Sequence, residues 1–168
     1  MTLLTEGNLE ITIPNAVQAR KFDDSASHRL THCMKAVDFI LELADRYLFV
    51  ELKDPQHPGS QPQHSNKFIQ EFLAGQIDED LKTKYRDSFL YEWGSGRATK
   101  PIYYLVLIAL DTLTEAELTT RTDELKRKLP VEGPVSGQWP RPFVAGCAVF
   151  NIATWNSRLP AYPVARQP

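Results

Sequence analysis

Short apolar and alternating runs along the chain predict the strands of a sheet. Residues 9–13 alternate between apolar and polar, which is typical of a strand with one buried face. Two apolar runs, 34–43 and 46–53, are separated by two residues, the shortest reasonable hairpin loop. The continuous apolar run 102–110 favours a central strand buried on both faces, and the run 143–152 predicts a further strand.

Elsewhere the apolar residues recur every three or four positions, which predicts helices. From about residue 65 they form one helical face, and Gly75 is placed to divide this segment into two helices. Thr114 and Glu117 have the spacing of a capping box, so they predict the start of another helix, which Pro130 ends. The order of these elements predicts an α/β fold in which a mixed central β-sheet is flanked by helices.

Length and composition predict one globular domain over residues 1–168. The chain is of single-domain length, and its 42% hydrophobic and 24% charged residues are close to the averages for globular proteins. The segment 130–168 holds 7 of the 12 prolines. We therefore expect a proline-rich C-terminal tail that wraps the surface with little regular structure.

Charge and cysteine content exclude several classes of protein. The 19 basic and 21 acidic residues argue against a strongly basic nucleic-acid binder, although they allow a local basic cleft. Cys33 and Cys147 are too far apart in sequence for a disulfide framework or a CxxC zinc site. The longest apolar run is far shorter than the roughly 20 residues that span a bilayer, and the first residues lack a signal-peptide pattern. We expect a cytoplasmic protein without a membrane partner.

The predicted hairpin brings acidic and basic residues to one face. With Ala44 and Asp45 as the loop, Asp38 lies opposite Glu51, and Lys53 shares their face. Two carboxylates whose Cβ atoms are roughly 5 Å apart repel each other unless a positive charge lies between them. Lys53 supplies one such charge, and Mg²⁺, which prefers oxygen ligands, would supply two more. A divalent cation beside an ammonium group is an arrangement that can hydrolyse a phosphodiester.

The same residues resemble a known nuclease motif. Val37-Asp38, twelve further residues and then Glu51-Leu52-Lys53 resemble the PD-(D/E)xK nuclease superfamily, here as a small bacterial member. The resemblance covers about residues 30–110, with Val37 at a position that varies in the family. It implies a restriction-endonuclease-like fold, a Mg²⁺ or Mn²⁺ ion bound by Asp38 and Glu51, and catalysis by Asp38, Glu51 and Lys53.

The resemblance also implies a substrate and a biological setting. It implies hydrolysis of nucleic acid, DNA in preference to RNA, in phage defence, restriction or repair, by a homodimer or with a partner subunit. A nuclease needs basic residues for the phosphate backbone, and we predict Lys67, Arg97 and Lys100 as substrate-binding residues. The choice of an additional upstream acid stays open among Glu10, Asp23 and Asp24.

Alternative interpretations of the motif stay open at this point. Two further (D/E)xK tripeptides, at 80–82 and 124–126, lie in predicted helices, where they are typical of solvated charges. Glu51 and Lys53 could likewise form a salt bridge on an exposed sheet face. A second functional hypothesis is a catalytically inactive nuclease-fold protein that acts as a binding or accessory subunit, which a filled or helix-capped site would favour. A third is a small-molecule binder that uses the sheet edge.

Overall fold

The computed structural model describes residues 1–24, 26, 29–137 and 139–167. Over these residues the chain forms eight strands and four helices. The strands are β1 (Thr2–Glu6), β2 (Leu9–Ile13), β3 (Gln18–Lys21), β4 (Phe39–Glu42), β5 (Tyr47–Lys53), β6 (Ile102–Ile108), β7 (Gly146–Phe150) and β8 (Val164–Arg166). The helices are α1 (Pro62–Leu73), α2 (Asp78–Gly94), α3 (Glu115–Lys128) and α4 (Ile152–Arg158).

The larger of two sheets has five strands in the order β3-β4-β5-β6-β7. The first three strands form an antiparallel meander. The chain then passes through α1 and α2 before β6 pairs with β5 in parallel, and β7 joins β6 in parallel after α3. This arrangement confirms the predicted α/β class and the mixed central sheet.

Different layers cover the two faces of this sheet. On one face, Phe49 lies in a core with side chains of α1, α2 and α3. On the other face, Val50 lies in a core with the small sheet β1-β2-β8 and with Trp155 of α4. Because successive side chains of a strand point to opposite faces, Glu51 and Lys53 share the helix-covered face of Phe49.

β4 and β5 pair in the register that a two-residue loop predicts, since Ile40 lies opposite Phe49. β4 is shorter than the predicted run, because it begins at Phe39 rather than at residue 34. The preceding main chain turns towards α2 instead, where the Val37 N–H donates to Ser88 Oγ at 3.0 Å. Asp38, immediately before the strand, therefore stands between the hairpin and α2.

α1 and α2 are separated at the predicted glycine. Gly75 has a φ of +73°, in the left-handed region that favours glycine. A Cβ at this position would lie only 2.7 Å from Nη2 of Arg121, whose guanidinium pairs with Asp78 in the first turn of α2. The junction therefore requires glycine for its backbone and for the close approach of the guanidinium.

The C-terminal segment is more regular than predicted. The expectation of little regular structure over residues 130–168 is wrong, because α4 and β8 lie within it. The Asn151 side chain accepts the Thr154 N–H at 2.8 Å and starts α4, and Trp155 anchors this helix in the core. Pro160 and Pro163 lie between α4 and β8 without interrupting either element. Gln138 and Pro168 lie outside the described residues.

In the part of the chain that the structure describes, no helix is long and apolar enough to cross a membrane. The cytoplasmic location and the single-domain assignment, with its core at 30–110, stay predictions.

Candidate active site

Asp38, Glu51 and Lys53 lie together near the end of β5. The Leu52 N–H donates to Asp38 Oδ2 at 2.6 Å, which holds the Asp38 carboxylate against β5. Lys53 Nζ lies 2.5 Å from Glu51 Oε1. The structure therefore brings the three residues of the motif together, as the hairpin register requires.

These three residues form a buried site. Glu51 is 0% exposed and Asp38 is 4% exposed, whereas the Lys53 side chain keeps 29% of its surface exposed. The alternative of a salt bridge on an exposed sheet face is therefore wrong: the salt bridge exists, but its carboxylate is buried. Buried carboxylates are costly unless they are paired, so this site needs positive charge close by.

A second lysine, from α2, supplies part of that charge. Lys84 Nζ lies 2.6 Å from Glu51 Oε1 and 3.7 Å from Asp38 Oδ1, and its side chain is only 17% exposed. Two carboxylates thus face two ammonium groups, and we call Asp38, Glu51, Lys53 and Lys84 the polar cluster. Sequence reasoning missed this role of Lys84. Lys84 follows the buried Leu81 by three residues, which places it on the inward face of α2. The helical repeat of apolar residues does not show which strand this face packs against.

Burial sets the protonation behaviour of the polar cluster. Burial, and then the charge of Glu51, raise the pKa of Asp38 to about 7, against the opposing effects of Lys84 and the Leu52 N–H. Burial alone would lower the pKa of Lys53, but Glu51 and Asp38 outweigh it and raise that pKa above its ordinary value. Near neutral pH, Asp38 therefore exchanges its proton while Lys53 stays charged.

Of the three upstream acids left open, Asp23 is the one that interacts with the polar cluster. It is half-buried, burial raises its pKa, and the charges of Lys84 and Glu51 both act on it. Glu10 lies instead on β2 of the small sheet. Asp24 accepts a main-chain N–H within its own loop. Asp23 follows β3, whose pairing with β4 brings it near Asp38.

The oxygens of this site are chemically suited to a divalent cation. Mg²⁺ prefers carboxylate oxygens, and two buried ones, Glu51 Oε2 and Asp23 Oδ1, have no hydrogen-bond partner. Among the described residues, however, no group of three or more His, Cys, Asp or Glu side chains is arranged to hold a metal. Lys84 Nζ also contacts Glu51 Oε1 and lies close to Asp38 Oδ1, on the two carboxylates that would hold the cation. The residues fit a divalent cation if the Lys84 ammonium moves away.

A cavity of about 390 Å³ opens beside Lys53, between α1 and α2. Its lining includes Phe68, Glu71 and Asp80 but neither Asp38 nor Glu51, which α2 covers. Lys53 is therefore the member of the polar cluster that lines this cavity.

The three predicted substrate-binding residues lie in two different places. Lys67 is exposed on α1, and its Nζ lies 3.6 Å from Oε1 of Glu71, which lines the cavity beside Lys53. Arg97 and Lys100 follow α2, and their side chains pair with Glu92 at 2.8 Å and with an acidic residue of β4 at 2.6 Å. Lys67 thus contacts a lining residue of that cavity but does not line it, whereas Arg97 and Lys100 pair with carboxylates outside the polar cluster.

The other two tripeptides differ from the motif on β5. Asp80 and Lys82 lie on α2, and Glu124 and Lys126 on α3, where they form ion pairs with exposed neighbours. They match the prediction of solvated charges on helices.

Comparisons with known proteins do not place the chain in a family. No family model, curated protein or solved structure matches it. The resemblance to PD-(D/E)xK nucleases therefore rests on the residues and geometry of this chain.

Proposed function

We propose that this protein is a divalent-metal-dependent nuclease-like enzyme of PD-(D/E)xK type that hydrolyses phosphodiester bonds in nucleic acid, DNA in preference to RNA. The observation that carries the proposal is the side-by-side placement of two buried carboxylates, Asp38 and Glu51, with Lys53 Nζ 2.5 Å from Glu51. An antiparallel meander, crossover helices and a parallel strand support a restriction-endonuclease-like fold.

Asp38 and Glu51 would hold the Mg²⁺ or Mn²⁺ ion, with Asp23 as the nearest further acid. The bound cation would lower the pKa of a water molecule and offset the charge of the phosphate. Lys53 stays protonated at neutral pH and lines the cavity beside the cluster, so its ammonium is placed to stabilise negative charge on a phosphate there. Lys84 serves as the counter-charge of Glu51 while no other cation is bound.

Cleavage assays on plasmid, linear duplex DNA and RNA with Mg²⁺ or Mn²⁺ test the proposal. We expect Glu51→Gln and Lys53→Met to reduce cleavage by at least about 100-fold, because the first removes a carboxylate ligand of the cation and the second removes the ammonium that stabilises negative charge on the phosphate. Matched controls are Glu124→Gln and Lys126→Met, which alter the same tripeptide on α3 and should retain wild-type activity. Equal activity of the motif variants and the controls would contradict a catalytic role for the polar cluster.

Calorimetric titration of Mn²⁺ separates binding from catalysis. Wild type should bind the ion, and Asp38→Asn should bind it at least about tenfold more weakly, because a carboxylate ligand is lost. If neither protein binds Mn²⁺, even with DNA present to complete the coordination shell, the metal-dependent mechanism is wrong.

A second candidate function is that of a catalytically inactive nuclease-fold protein acting as a binding or accessory subunit. The observation that favours it is the cover of α2 over the carboxylates, whose charges Lys53 and Lys84 already balance. Such a protein would bind duplex DNA equally well in EDTA and in Mg²⁺, and it would cleave no substrate. Glu51→Gln would leave that binding unchanged.

A further inference from the structure

A second concave region lies where β6 begins, away from the polar cluster. The last turns of α2 and the segment before β7 enclose a cavity of about 580 Å³ there. It reaches inwards to Ile102, the first residue of β6. Val106, four residues further along this strand, is paired with Glu51. The cavity therefore begins roughly 13 Å from the level of the polar cluster.

Four aromatic side chains line this cavity. The Phe89 and Phe143 ring centroids are 4.7 Å apart, and the Trp139 and Phe143 centroids are 4.8 Å apart. Trp93, one helical turn after Phe89, also lines it and keeps 62% of its surface exposed. We call this site, with its four rings, the aromatic cavity. Exposed apolar surface gathered in one place is typical of a binding site.

The charges of the lining have one sign. Its only charged side chains among the described residues are those of Lys100 and Arg141, and no Asp or Glu lines it. Lys100 is engaged by Glu42 and by the Leu43 carbonyl oxygen. Arg141 donates from Nη1 to the Ala98 carbonyl oxygen at 3.1 Å, which leaves other N–H groups of its guanidinium for a ligand.

We propose that the aromatic cavity binds a small aromatic carboxylate. Its volume is that of a pocket for one small molecule, which favours such a ligand over an extended peptide. The flat ring system would pack against Trp93 and Phe143, since aromatic rings gain from offset or edge-on contact. The carboxylate would pair with Arg141, because a planar guanidinium matches a carboxylate in geometry. This inference does not depend on the proposed nuclease activity.

Titration with 2-naphthoate, followed by tryptophan fluorescence and by calorimetry, tests the inference on the full chain. We expect saturable binding at least about tenfold tighter than that of the neutral analogue 2-acetylnaphthalene, because the carboxylate adds a charge-assisted hydrogen bond. Arg141→Gln should weaken 2-naphthoate binding about tenfold and leave the neutral analogue unchanged. Trp93→Ala should weaken both probes, and its exposure makes a folded variant the expected outcome. Arg127→Gln, at an exposed arginine of α3, is the matched control and should bind like wild type.

Three results would overturn the inference. The first is equal affinity for the charged and neutral probes, and the second is wild-type affinity in both Arg141→Gln and Trp93→Ala. The third is a short single-stranded oligonucleotide that displaces 2-naphthoate and loses affinity in the same two variants, since the cavity would then be a nucleic-acid surface. Loss of Mg²⁺-dependent cleavage in Glu51→Gln has no bearing on any of these readings.

Discussion

The polar cluster and the aromatic cavity share helix α2 and lie on the neighbouring strands β5 and β6, yet their chemistry is opposite. α2 contributes Lys84 to the cluster and Trp93 to the cavity, nine residues apart, or roughly 13 Å along the helix. In the polar cluster the charged groups are buried and compensate each other. In the aromatic cavity the rings are partly exposed.

This difference separates residues that the stability of the fold depends on from residues that contribute little to it. A buried charge that loses its partner destabilises the protein strongly. Truncating an exposed aromatic side chain costs the protein little stability, because much of the ring is already in contact with water. We therefore expect substitutions in the polar cluster to change stability and chemistry together, and substitutions in the aromatic cavity to change binding alone.

The largest expected effect on stability is that of Lys84→Met. Removing this ammonium leaves Glu51 buried with one cation instead of two, and we expect the free energy of unfolding to fall by about 3 kcal/mol. Lys82→Met on the same helix is the matched control, because Lys82 pairs with the exposed Glu79. This substitution should lower the free energy of unfolding by less than about 1 kcal/mol. Urea unfolding followed by circular dichroism measures both. Equal losses in the two variants would show that burial does not distinguish the polar cluster.

The pH dependence of Asp38→Asn gives the next largest effect. Since the pKa of Asp38 rises from 3.8 to about 7 on folding, the folded protein holds a proton that the unfolded chain releases in this range. The stability from neutral Asp38 is complete below pH 3.8 and is lost as the pH rises through 7. Asparagine does not titrate, so the stability of the variant relative to wild type should rise by roughly 3 kcal/mol between pH 4 and 7.

Unfolding titrations at several pH values check this expectation. A difference between Asp38→Asn and wild type that does not change with pH would mean that Asp38 is ionised throughout. The corresponding variant of an exposed acid, Glu124→Gln, should show no such gain on wild type.

A smaller effect is expected in the metal affinity of Lys84→Met. Lys84 Nζ contacts Glu51 Oε1 and lies close to Asp38 Oδ1, on the two carboxylates that would hold the cation. Its removal should therefore tighten Mn²⁺ binding about tenfold, or roughly 1.4 kcal/mol, by calorimetry. Weaker binding than in wild type would show that Lys84 supports the site rather than competing with the cation. Lys82→Met should bind like wild type.

The smallest effect is expected at the aromatic cavity. Trp93→Ala should change the free energy of unfolding by less than about 0.5 kcal/mol, because 62% of this side chain is already exposed. Thermal unfolding beside the wild type measures the change. A loss comparable to that of Lys84→Met would mean that the rings of the cavity serve the fold, and it would remove the contrast between the two regions.

The predictable part of the fold is the part governed by local pattern. A two-residue loop leaves one register for β4 and β5, so the neighbours Asp38, Glu51 and Lys53 follow from sequence alone. The helix break at Gly75 follows from local chemistry in the same way. The small sheet escapes such reasoning, because β2 pairs with β8 across most of the chain and no local pattern encodes that contact.

The site was predictable only along the hairpin. Lys84 comes from a helix, and its contact with Glu51 depends on how α2 packs on the sheet, which periodicity does not determine. Arg97 and Lys100 illustrate the same limit: their charge suggested phosphate contacts, whereas tertiary packing gives each an internal carboxylate partner. The aromatic cavity is formed by two segments far apart in sequence, so the positions of Trp93 and Trp139 in the sequence do not predict a shared pocket.

The pairing of β2 with β8 sets an order of events during synthesis. The partner of β2, Val164–Arg166, emerges from the ribosome more than 150 residues after β2. Until then the apolar face of β1 and β2, with Ile11 at its centre, lacks its last strand while the meander and helices are already available to fold. Arg166 then reaches across to Asp54 and to the Ala109 carbonyl oxygen, just beyond the ends of β5 and β6. β8 thus fixes the end of the sheet that carries the polar cluster, so a nascent chain completes the surroundings of this site only after β8 has emerged.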